Sequence, residues 1–78
     1  MGVAPSKEKC IDQLNSFLRG ELSAVETYKQ AIGRLNEPAL ATQLQECMTS
    51  HQQRVNLLRQ RIVQLGGMPS TDSGAWGA

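Results

Sequence analysis

Residues 11–38, IDQLNSFLRGELSAVETYKQAIGRLNEP, decide the architecture of this chain. Ile11, Leu14, Leu18, Val25, Tyr28, Ile32 and Leu35 recur at steps of three and four, or at their sum, which is the spacing of one face of an α-helix. The stripe has one interruption, between Leu18 and Val25, and the residue that stands there is Glu21. Asn36-Glu37-Pro38 ends the pattern. Asn36 is a suitable cap, and Pro38 fits only the first turn of a following helix, where its missing N–H costs nothing.

Outward from this stretch the same rules apply. Ser6, just after Pro5, is placed to accept a hydrogen bond from the first turn of a helix. Beyond Pro38 a second seam follows: Leu44, Met48, His51, Val55, Leu58, Ile62 and Leu65. Gly66-Gly67 stops it, because glycine takes the left-handed conformation at a helix end at no steric cost, and Pro69 prevents an early restart. The spacing therefore predicts an all-α chain, an antiparallel helical hairpin with helices over about residues 6–35 and 38–65. Residues 1–67 form the hairpin, and 68–78, rich in Ser and Gly, read as a flexible tail or a linker to further helices, with Trp76 placed in it.

Composition narrows the function. The chain has 78 residues, room for one domain. No apolar run reaches the ~18 residues of a membrane span, so no membrane role is expected. Eight basic and seven acidic side chains give a net charge of +1, with one Phe, one Tyr and one Trp. A nucleic-acid binder needs a basic stripe or an aromatic platform, so none is expected as partner. Residues 1–9 carry no apolar leader, and Cys10 and Cys47 are too few for a disulfide scaffold, which predicts a cytoplasmic protein with free thiols. The two also lie at different heights of an antiparallel hairpin: Cys10 is 26 residues before Asn36 and Cys47 is 11 after it.

A hairpin has a single contact line, yet the apolar arcs are wider than that line requires. Phe17, Leu22 and Ala24 flank the first seam, and Leu40, Cys47 and Leu57 flank the second. The economical way to cover them is to pair two hairpins, as a homodimer, into a four-helix bundle.

Two ionisable residues sit on the seams. Glu21 lies 15 residues before Asn36 and His51 lies 15 after it, so an antiparallel hairpin brings them level, roughly 22 Å from the turn. A carboxylate on a buried stripe needs a partner. It is either half of a Glu21–His51 pair that sets the register of the bundle, or one of two metal ligands, Glu21 and His51, with Cys47 one turn away as a third donor or simply a small hydrophobe. Nothing assembles a nucleophile or an oxyanion hole, and no catalytic residue is assigned.

Leu14-Asn15 followed by Gly20-Glu21-Leu22-Ser23-Ala24-Val25-Glu26-Thr27-Tyr28 resembles the first helix of the ferritin-like superfamily, closest to the LN…ELxAxxxY pattern of bacterioferritin and rubrerythrin-like proteins. The stretch from His51 through Leu58, Ile62 and Leu65 to Gly66-Gly67-Met68-Pro69 is similar to that family's second helix and its exit. The likeness spans residues 11–69 and two of the family's usual four helices. It implies a ferritin-like four-helix bundle, an iron ligand at Glu21, a tyrosine close to the metal at Tyr28, and a ligand at His51. One position departs. The family's second helix carries Glu three residues before the His, and here that residue is Met48. Glu46 is five residues before His51 and points away from the ligand face. Without the bridging carboxylate a di-iron centre is not expected. Two functions follow as expectations: a self-associating structural module with a degenerate metal site, or a metal-binding ferritin-like protein that holds iron or zinc with Glu21 and His51.

Overall fold

The computed structural model describes residues 6–74. Two helices are present among them: α1, Lys7–Arg34, and α2, Pro38–Gln64. They run antiparallel and pack along their length, as the periodicity predicts.

Each helix end has its own local cause. Ser6 caps α1, its Oγ accepting from the Lys9 N–H at 3.2 Å, while Glu8 in the first turn and Arg34 in the last complement the helix dipole. At the turn the N-cap of α2 is Glu37 rather than Asn36. Its side chain makes no capping bond; the start is set by Pro38 at the first helical position, whose ring pre-sets the backbone angle and removes one unpaired N–H. At the far end of α2, Gly66 takes φ +85°, its N–H donates to Val63 O, and the Gly67 N–H donates to Ile62 O, both at 2.9 Å. This crossed pair of bonds is a Schellman closure.

The core is thin. Leu18 and Ile62 are fully buried, Val55 nearly so, and Ile11, Leu14, Leu22, Val25 and Leu58 pack around them. The buried residues of α2, Met48, Val55 and Ile62, repeat every seven, the knob spacing of two helices wound left-handedly around each other. A fully buried aliphatic side chain contributes about 1.5–3 kcal/mol. So few of them leave the isolated hairpin with little margin over the entropy of ordering its chain.

Residues 68–74, expected as part of a flexible tail or a linker, are laid back along α1 by hydrogen bonds. The Asn15 side chain brackets the backbone: its Nδ2 donates to Met68 O at 3.0 Å and its Oδ1 accepts from the Ser70 N–H at 2.8 Å. Arg19 Nη1 donates to Ser70 Oγ at 3.2 Å, and Ser73, buried, donates from Oγ to Glu26 Oε2 at 3.2 Å. The strap begins at Gly67, where the backbone comes so close to Ile11 that a Cβ would meet its Cγ2 at 2.6 Å. Hydrogen bonding to one polar stripe of α1 holds the segment, and hydropathy patterning carries no trace of that. Trp76 and the rest of the expected tail lie outside the described residues.

The strap makes the hairpin two-sided. Asn15, Arg19 and Glu26 lie on the flank it covers. On the opposite flank, Cys10, Leu14, Phe17, Glu21, Ala24 and Tyr28 follow one another at helical spacing on α1, and His51, Arg54, Leu58, Arg61 and Leu65 do so on α2. Phe17 is 56% exposed and Leu57 64%. Phe17, Leu14, Cys10 and Leu65 line one shallow groove, and Leu14, Leu57 and Leu58 line an adjoining one. None of the described helices is long and apolar enough to cross a membrane.

Candidate functional site

The middle of the open flank carries the polar cluster. Glu21 on α1 and His51 on α2 are brought together as their equal distance from the turn requires: His51 Nδ1 and Glu21 Oε2 are 2.5 Å apart. Their side chains are 21% and 24% exposed, so both are largely removed from water. Arg54, one turn after His51, completes the cluster. Its Nε donates to Glu21 Oε1 at 2.9 Å and its Nη1 to Ser50 Oγ at 3.0 Å. Its Nη2 stands 2.8 Å from His51 Nδ1. The Tyr28 ring lies 5.4 Å from the imidazole, centroid to centroid, at a tilt of 33°.

The electrostatics are self-consistent. Burial by itself pushes the Glu21 carboxyl up; the hydrogen bonds from His51 and Arg54, together with the Arg54 charge, outweigh it and hold the group below its ordinary value. Glu21 is therefore ionised at neutral pH and can only accept. A guanidinium cannot accept either, so the two close approaches to Nδ1 cannot both be hydrogen bonds. The proton on Nδ1 goes to the carboxylate, and Arg54 is anchored by Glu21 Oε1 and Ser50. In neutral His51 this leaves the lone pair on Nε2.

The fit of a metal can be tested on this donor set. No group of three or more His, Cys, Asp or Glu side chains among the described residues is placed to hold an ion. Both oxygens of Glu21 are engaged, and the Arg54 cation stands against both candidate ligands. Met48, where a bridging carboxylate would be needed, is buried as part of the apolar core. Cys47 is exposed and Cys10 half-buried, both as free thiols. The residues present do not fit a di-iron centre.

Sequence reasoning brought Glu21 and His51 together, and the resemblance placed Tyr28 near them; it did not single out Arg54. Side chains on a helix lean toward its N-terminus. That carries the long Arg54 back to the level of Ser50 and His51, and the Tyr28 ring back toward Glu21. The signal was available in the spacing of Ser50, His51 and Arg54 on one helix face.

A family model described as "Domain of unknown function (DUF2383)" matches residues 9–78. No curated protein and no solved structure matches the chain.

Proposed function

From the premise that this chain belongs to the DUF2383 family, a domain of unknown function, we propose that it is a ferritin-like helical self-association module whose metal site is degenerate. The observation that carries the reading is the open flank. Phe17 and Leu57 stand exposed beside the Glu21–His51–Arg54 cluster, on the side the strap leaves bare, while the polar cluster itself is closed by its own hydrogen bonds. An apolar surface that surrounds a satisfied polar core suits helix-on-helix burial better than ligand capture. A second copy of the hairpin seated on that flank completes a four-helix bundle as a homodimer and supplies the apolar burial that one hairpin lacks. The thiols of Cys10 and Cys47 suit the reducing cytoplasm, where we place the protein.

Sedimentation velocity at micromolar concentration tests this. The protein as it stands should sediment as a dimer. Phe17→Glu with Leu57→Glu, both on exposed positions outside the core, should dissociate the dimer and with it lower the helical signal, since folding and pairing are coupled. A well-folded monomeric parent would overturn the reading.

One observation favours a second reading. A histidine whose Nδ1–H is pinned by a carboxylate presents Nε2 as metal-binding histidines do. On that reading the chain binds iron or zinc through His51 with Glu21, and elemental analysis of protein purified without chelator would find one metal per site.

A further inference from the structure

We propose that Arg54 is a resident cation that fills the counter-charge position of the Glu21–His51 pair and so keeps divalent metal ions out of the hairpin. The proposal deepens the reading of the site as degenerate and does not depend on self-association. Three observations carry it. First, each oxygen of Glu21 already has a partner: Oε2 faces His51 Nδ1 and Oε1 accepts from Arg54 Nε. Second, the guanidinium is held in place, not merely nearby, because Nη1 also donates to Ser50 Oγ on the preceding turn of the same helix. Third, Nη2 lies 2.8 Å from His51 Nδ1, so the guanidinium stands against the Glu21–His51 pair on both of its members.

An ion seeking Glu21 competes with two charge-assisted hydrogen bonds on that carboxylate. It must either displace the guanidinium or sit within a few ångströms of its positive charge, where like charges repel. Met48 supplies no carboxylate where the ferritin-like pattern has one. Arg54 goes further, since it converts what remains into a closed ion pair. Arg54 is therefore a specificity-determining residue, and the side chain that must go before the site can accept a metal.

The test uses Co2+ as the probe, read by its visible absorption with Zn2+ as competitor, on the full chain and on Arg54→Gln, Arg54→Lys, Met48→Glu and Met48→Glu with Arg54→Gln. Circular dichroism verifies folding, and sedimentation gives the oligomeric state of each separately. Arg54→Gln should tighten Co2+ binding by roughly 10–100-fold in both backgrounds, the range over which neighbours of a metal ligand change affinity. Arg54→Lys, which keeps the charge, should stay as weak as the parent. The proposal is overturned if Arg54→Gln binds Co2+ no more tightly than the parent, whether both bind or neither does, or if Met48→Glu binds equally well with Arg54 present and absent. Should the Met48→Glu variants fail to fold, the comparison of Arg54→Gln with Arg54→Lys decides alone. A monomeric parent that rejects Co2+ would sink self-association and leave this proposal standing; a dimeric parent that binds Co2+ tightly would do the reverse.

Discussion

Glu21 and His51 are thirty residues apart in the chain and 2.5 Å apart in space. Each lies fifteen residues from Asn36, and both occupy the inward stripe of their helix. A polar contact at that height pins the sliding of α1 against α2: a shift of one residue would move the pair apart by ~1.5 Å, and a shift of one turn would set each group against an apolar neighbour. The pair is thus a register device.

Removing the carboxylate should expose this role. Glu21→Ala leaves His51 and the Arg54 guanidinium facing each other with no anion between them. The expected loss is about 1–3 kcal/mol of unfolding free energy, read by urea titration. His51→Ala should cost less, since Glu21 retains Arg54. A double-mutant cycle should give a coupling well above the error of about 0.5 kcal/mol; zero coupling would mean that the contact sets no register.

The pH dependence follows from the lowered Glu21 pKa. The unfolded chain holds this proton more tightly than the folded one, so stability rises with pH wherever the unfolded state is partly protonated. The contribution is fully present above the ordinary carboxyl value of 4.5 and is lost as pH falls through the lower folded value. Thermal midpoints measured from pH 7 to pH 3 should therefore fall more steeply at the acid end for the parent than for Glu21→Gln. Parallel curves would contradict the assignment.

The glycine pair after α2 should tolerate alanine poorly, for two different reasons. Gly66 sits at φ +85°, so Gly66→Ala pays the left-handed penalty, about 1–2 kcal/mol. Gly67→Ala drives a methyl group into Ile11. Adding Ile11→Ala should recover part of the second loss and none of the first, which melting curves of the four variants would separate.

Asn15 should control the strap and leave the hairpin intact. Asn15→Leu removes the acceptor of the Ser70 N–H and the donor to Met68 O. Amide exchange at Ser70 should quicken roughly 5–10-fold, as for the loss of one net hydrogen bond, while Leu18 and Ile62 keep their protection. Unchanged exchange at Ser70 would show that Arg19 and Glu26 hold the strap without it.

Much of the hairpin was written in local periodicity. The helices found at Lys7–Arg34 and Pro38–Gln64 lie within a residue of the ranges read from apolar spacing, Ser6 and Gly66-Gly67 mark the ends they were expected to mark, and Leu18, Met48, Val55 and Ile62 are buried members of the two stripes. The meeting of Glu21 with His51 was legible too, because an antiparallel hairpin with a single short turn reduces height to a count of residues. A helix repeats every 3.6 residues whatever it packs against, so a stripe and a count survive translation into three dimensions.

Tertiary structure alone decided the rest. Asn15, Arg19 and Glu26 belong to a polar flank that reads as solvated until residues 68–74 are seen hydrogen-bonded to it. Arg54 reads as one surface charge among several until the approach of α1 brings Glu21 within its reach. Hydrophobic burial leaves a periodic trace because the positions a helix buries against its neighbour recur at helical spacing and are mostly apolar. A hydrogen bond between distant polar groups depends on where the second group arrives and on how a long side chain leans, and neither is encoded in the residues on either side of it.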